Sequence, residues 1–195
     1  MNAGYSEFVA EPGSGRPASP PPTFRWRARR GAIAQRSTLT NWPEGTRPDQ
    51  SSVFCHNEIR VPTSPQRVWE WLVCAGMWSR WYRNAGDVVL PGHQLRLTPN
   101  MVFRWRTLGA RITSKVVEHD PPHRLGWIWW RRGARGYHGW LLQADGDGTR
   151  VITEETQRGL LPWLLRPVLQ RALWVAHEDW LRQLARKATQ GLPEP

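Results

Sequence analysis

Cysteine is nearly absent from this chain of 195 residues: Cys55 and Cys74 are the two it has. Two thiols without a CxxC spacing form neither a disulfide framework nor a zinc ribbon, and they suit a reducing compartment. The expectation is a cytoplasmic protein with free thiols. Lysine is scarce too, since of 27 basic residues only Lys115 and Lys187 are lysines. No uncharged apolar run approaches the ~18 residues a spanning helix needs, and no hydrophobic segment of signal-peptide length follows Met1. The GxxxxGK[ST] phosphate loop is missing. "GDGTRV" (146–151) lacks the third glycine of a dinucleotide loop and reads as a hairpin turn. No GxSxG nucleophile elbow occurs. "HEDWL" (177–181) carries Leu181 where a zinc-protease helix needs its second histidine. No metal and no nucleotide cofactor is therefore expected.

What the chain does have is arginine and tryptophan. Its net charge is +11 and it holds 14 tryptophans. A positive field favours anionic partners in general without identifying one. The first 22 residues are rich in Pro, Gly, Ser and Ala without periodicity, which reads as a disordered tail. The basic stretch "FRWRARRGAIAQR" (24–36) is either more linker or a docking arm. The domain division expected is 1–51, a Pro/Gly/Arg-rich tail, and 52–190, one folded domain.

Within that domain, "VFCHNEIRV" (53–61) alternates as a strand does. Ser64 and Pro65 are N-cap and first-turn residues. They open a helix carrying Val68, Trp71, Leu72 and Ala75, and Gly76 separates it from a second short helix in "GMWSRWYR" (76–83). Six strand-like segments follow, at about 86–90, 101–107, 110–119, 124–132, 136–144 and 149–158. Turn residues divide them and no helix intervenes, so the sheet should be antiparallel. Pro167 then starts a long amphipathic helix with Leu169, Leu173, Ala176, Trp180 and Leu184 on one stripe. The fold class expected is α+β: a curved antiparallel sheet of about seven strands, in the order β-α-α-β6-α, wrapped on a long C-terminal helix with a hydrophobic cavity between them.

The segments "IRVPTSPQRVWEWL" (59–72), "MWSRWYRNAGDV" (77–88), "FRWRTLGARITSKVVEHDPPHRLGW" (103–127), "YHGWLL" (137–142), "GDGTRVITEETQRG" (146–159) and "HEDWLRQL" (177–184) occur in an order and at spacings that resemble the START-like, or SRPBCC, superfamily. Within it the resemblance is to the polyketide cyclase/dehydrase-like branch, across about residues 53–187. It implies a helix-grip fold around a cavity that takes a small hydrophobic ligand, aromatic, polyketide-like or lipid-like. The superfamily includes carriers and cyclases, so both an enzyme without metal or nucleotide cofactor and a simple binder remain open. Its ring-hydroxylating oxygenase members hold iron on two histidines and a carboxylate. No His-x-x-x-x-His occurs here, which sets that branch aside.

Strand alternation puts His138, Trp140 and Leu142 on one face. An even hairpin connection puts Val151, Thr153 and Glu155 beside them. His138 and Glu155 could then meet as a proton-transfer pair, the candidate catalytic residues; a structural pair, or two residues on the solvated face, is the alternative. A bulge in the hairpin would remove the pair. The candidate ligand-binding residues are Trp78, Trp81, Tyr82, Trp105, Trp127, Trp129, Trp140, Trp174 and His177. Simple core packing of those rings is the plain alternative. In "LGWIWWRRGARGYHGW" (125–140), Trp127 and Trp129 share a face with Leu125 and are expected to look toward the long helix. The arginines at 131, 132 and 135 gather at the turn and do not interleave with the rings as a single-strand-binding platform requires. The rival to a ligand-binding protein is an interaction protein, whose basic arm and 131–135 tip contact anionic membrane or nucleic acid.

Overall fold

Two-residue turns set the strand lengths. Leu108 and Gly109 both have positive φ, 48° and 76°, which matches the twist of the strands they join. Arg132–Gly133 and Gly146–Asp147 make the other two tight hairpins. The computed structural model describes residues 37–39 and 41–194. The tail expected over 1–22 and the basic arm over 24–36 lie outside the described residues.

The strands are β1 (Val53–Val61), β2 (Gly86–Val89), β3 (Val102–Thr107), β4 (Ala110–Asp120), β5 (Arg124–Arg131), β6 (Ala134–Asp145) and β7 (Gly148–Arg158). They form one antiparallel sheet in the order β1-β7-β6-β5-β4-β3-β2. Helices α1 (Pro65–Val73) and α2 (Trp78–Trp81) lie between β1 and β2. A short α3 (Leu160–Leu164) and the long α4 (Arg166–Gln190) follow β7. This is the α+β helix-grip architecture, a curved open sheet closed by its C-terminal helix. The strands of the β5–β6 hairpin reach nearer their turn than composition suggests. Arg131 pairs with Ala134, so Arg131 and Arg135 sit on strand ends and only Arg132–Gly133 is turn.

The inner face of the sheet, α1, α2 and α4 share one core. It includes Trp69, Trp71, Trp78, Trp81, Trp105, Trp127, Trp129, Trp140 and Trp180. Full burial of an aromatic ring removes ~150–250 Å² from water, so these rings dominate the apolar contribution to stability. Both free thiols are buried.

The outer face is also covered over β5, β6 and β7. Leu39, Tyr137, Leu141 and Ile152 form a second cluster there, with Trp42 and Ile128 against it. The cover is the chain before β1, tied down by one buried residue. Glu154, with no exposed surface, accepts hydrogen bonds from Ser37 Oγ (2.6 Å), Thr38 N (2.7 Å), Leu39 N (3.3 Å) and His56 Nδ1 (2.7 Å). The packed unit therefore takes in residues upstream of the boundary expected at Ser52. The reason is a strand covered on both faces, which needs a second layer. Glycine is required beneath this layer: a Cβ on Gly139 would overlap Leu39 and the Tyr137 ring.

Candidate functional site

One cross-strand row carries the polar chemistry of the inner face. Cys55, Glu155, His138, Trp127 and Val116 are direct neighbours on β1, β7, β6, β5 and β4. The β6–β7 register runs unbroken from Arg135↔Arg158 to Asp145↔Gly148, so no bulge separates His138 from Glu155. His177 comes down onto this row from α4. His138 Nδ1 lies 3.1 Å from Glu155 Oε2, and His177 Nε2 lies 3.2 Å from the same oxygen. Gln157 Nε2 donates to Glu155 Oε1 at 2.9 Å. All three residues of the cluster are buried, at 2%, 8% and 1% exposure for His138, Glu155 and His177.

An ionised carboxylate only accepts hydrogen bonds, so both imidazoles must donate to it. His138 then carries its proton on Nδ1, and its Nε2 accepts from the Thr153 hydroxyl at 2.7 Å. Burial pushes the pKa of His138 down to about 4, against the opposing pull of Glu155, so this ring is neutral at pH 7. Burial alone would raise Glu155. The attraction and hydrogen bonds of His138, then of His177, outweigh it and hold the carboxyl below the usual carboxylate range. The two imidazoles stack, with centroids 4.6 Å apart and planes at 22°. In a neutral His177 ring the proton is on Nε2, which leaves Nδ1 as a lone pair. That atom is buried and has no hydrogen-bond partner among the described residues.

The wall around the cluster is aromatic. Trp180 of α4 touches six other rings: Tyr82 (4.4 Å, stacked), Trp78 and Trp140 (both 5.1 Å), His138 (5.4 Å), Trp105 (5.7 Å) and Trp127 (6.3 Å). Trp78 and Trp105 place their N–H groups on Leu72 O and Ser114 Oγ. The buried N–H groups of Trp81, Trp127, Trp129, Trp140 and Trp180 have no hydrogen-bond acceptor among the described residues. Edge-to-face ring contacts offset only part of what a lost acceptor costs, about 1–3 kcal/mol for each buried donor.

Of the residues singled out in the sequence, the fold thus gathers His138, Glu155 and His177 with Trp78, Tyr82, Trp105, Trp127 and Trp140. Trp129 is inward on β5, beside the row, while Trp130 is 42% exposed. Trp81 stands farther off, its nearest ring partners being Trp71 and Tyr82 at 6.2 and 6.3 Å. Trp174 is apart, half-buried against Val53, Cys55 and Leu173. Two kinds of participant escaped the sequence reading. Trp180 was legible as a core position on the α4 stripe but not as the hub of the rings. Thr153, placed on this face by strand parity but given no role, and Gln157 hold His138 and Glu155 in place; their signal is a strand face that is mostly polar, with Thr149, Thr153, Glu155 and Gln157 around Val151.

The cluster also bears on metals. One donor atom each from His138, Glu155 and His177 lie within 4.8 Å of one another. The absence of a local His-x-x-x-x-His pattern therefore did not exclude two histidines and a carboxylate, because the second histidine arrives from a distant helix. A His177 bound to an ion through Nε2 would carry its proton on Nδ1, and ligating histidines normally donate that proton to a fixed acceptor. Nδ1 has none. Thr153 would serve His138 in that way, so the set fits a cation on one side only.

Residues 55–190 match the family described as polyketide cyclase / dehydrase and lipid transport. The chain belongs to this family. No curated protein matches its sequence significantly. Among solved structures it is similar to a hypothetical protein, jhp0584, from Helicobacter pylori, at 25% identity and TM-score 0.72, over 78% of this chain and 98% of that one. It is similar in fold to the aromatase/cyclase Zhui of Streptomyces sp. R1128, at 14% identity and TM-score 0.60, over 70% and 93% of the two chains. The di-domain ARO/CYC StfQ of the steffimycin biosynthetic pathway also shares the fold, at 17% identity and TM-score 0.60, over 71% of this chain and 51% of StfQ. The row of Cys55, Glu155, His138, Trp127 and Val116 lies on the inner face of the sheet, where α4 brings His177 onto it.

Proposed function

We propose that the chain takes a small, flat, oxygen-bearing hydrophobic molecule among the rings between sheet and α4, and moves a proton on it through Glu155 and its two histidines. The observation that carries this reading is the unpartnered Nδ1 of buried His177. Glu155 accepts the opposite N–H of that ring, which fixes the tautomer and leaves Nδ1 to take the proton, as an orienting carboxylate does in a catalytic triad. Cyclisation and dehydration both require such a base. His138, neutral and hydrogen-bonded on both nitrogens, holds the carboxylate in register. The acceptor-free indole N–H groups would bind carbonyl or hydroxyl oxygens of the ligand. The rings are in mutual contact, so entry requires them to part, and Trp180 is the ring whose displacement opens most of the wall. The family's cyclase members support this chemistry by analogy of fold.

The test is native mass spectrometry on the full chain purified from its own host, followed by turnover of the molecule found. A bound small molecule is expected, with turnover reduced ~10²–10⁴-fold in His177→Asn. Unchanged turnover in His138→Ala/Glu155→Gln would overturn the proton-transfer role and leave a carrier.

A further inference from the structure

The chain leaves a strongly apolar stretch in water. Leu160, Trp163, Leu164, Leu165 and Val168 are 68%, 67%, 64%, 44% and 67% exposed. Every residue from Trp163 to Val168 is exposed. Folded proteins rarely display so many large apolar side chains side by side without a use for them. The ridge is built by α3 and the first turn of α4, and it is joined to the basic tip of the β5–β6 hairpin. Leu161 N donates to Gly133 O at 3.2 Å. A shallow hollow between the two is lined by Trp130, Arg131, Ala134, Arg135, Arg158 and Leu160.

Charge at this corner has one sign. Arg131, Arg132, Arg135, Arg166 and Arg171 are exposed, and none of them takes part in the ion pairs found among the described residues. No Asp or Glu occurs in residues 121–144 or 156–177. An apolar ridge bearing a tryptophan, rimmed by arginines, has the composition of an element that lies in a bilayer interface. No described helix is long and apolar enough to cross a membrane.

We propose that this corner docks the protein on an anionic lipid bilayer, with Leu160, Trp163, Leu164 and Val168 entering the interface. Arg131, Arg135 and Arg158 would meet headgroup phosphates at the hollow. Other occupants fit the charge less well. A second copy would set arginines against arginines. The chain's own residues 1–36 carry six arginines against Glu7 and Glu11, the same sign as the corner. Nucleic acid would match the arginines and leave the leucine and valine ridge in water.

Flotation of the full chain with vesicles tests this independently of any ligand in the interior. Binding is expected to phosphatidylcholine vesicles that contain phosphatidylserine, to be much weaker on phosphatidylcholine alone, and to fall with added salt. Because each basic residue near such a surface strengthens binding about fivefold, Arg131→Ala/Arg135→Ala should weaken it about twenty-fivefold. Trp163→Ser/Leu164→Ser should weaken it at least about tenfold. These side chains are exposed, so unchanged thermal melts verify folding. The proposal is overturned by a lack of flotation with phosphatidylserine vesicles at low salt, or by flotation that neither double variant reduces. It is also overturned if Trp163→Ser/Leu164→Ser dissolves a dimer seen by light scattering, or if a DNA or RNA duplex binds the corner while anionic vesicles do not.

Discussion

Acidification should unfold this protein from the inside, through His138. Its pKa is about 4 in the folded chain and 6.5 when exposed, because burial opposes the charged ring. Below 6.5 the unfolded chain therefore takes up a proton that the folded chain refuses. A depressed pKa contributes stability that is whole above the unfolded value and is lost as pH falls toward the folded one. Moving from about pH 7.5 to about pH 5 should cost about 2 kcal/mol through this residue alone. Glu155, held low in the fold, adds to the loss chiefly below its unfolded value near 4.5, so that range holds little of its contribution, and the His138→Gln variant separates His138 from the other histidines. Urea denaturation at both pH values measures the effect. In His138→Gln, an amide N–H can still reach Glu155, and the difference between the two pH values should shrink by about 2 kcal/mol. An equal loss in wild type and His138→Gln would refute the buried, neutral histidine.

Three further outcomes test the packing. Glu154→Gln sets an amide among the donors of Ser37, Thr38, Leu39 and His56. It should cost about 2–3 kcal/mol and raise hydrogen exchange at residues 37–39 in the folded state. Trp180→Ala removes the ring that touches six others and should cost about 3–5 kcal/mol in chemical denaturation. Gly136→Ala brings a Cβ onto the carbonyl oxygen of Thr156 and the Trp129 ring. Backbone cannot step aside as a side chain can, so about 1–3 kcal/mol is expected, read as a lower Tm.

Element order was readable because the local signals agree with one another. Turn residues end each strand, alternation picks its faces, and the Leu169–Leu184 stripe marks the long helix. The His138–Glu155 meeting was readable for the same reason, since it needs only strand parity and a two-residue hairpin. Other features depend on long-range placement. His177 lies one position off its stripe, and nothing local shows that its ring reaches a carboxylate on β7. Periodicity marks Trp180 as core without showing how many rings it joins. The cover over the outer face was hidden because Leu39 and Trp42 sit in a stretch with no period of its own, and they acquire a place only through Glu154. The α3 ridge is apolar enough to read as core, and only its exposure sets it apart.

Glu154 and Glu155 are adjacent in sequence and buried on opposite sides of the same strand. One fastens the chain that leads into the domain, and the other fastens the helix that ends it. A slip of β7 by a single residue would turn each carboxylate to the other side. The charge meant for two imidazoles would face Leu39 and Trp42, and the outer donors would meet a threonine or a second misplaced acid. Paired in this way, the two acids act as a checksum on the strand, since only the native alignment satisfies both. Because each tethers a segment from a different end of the domain, that check cannot be completed until both segments have docked.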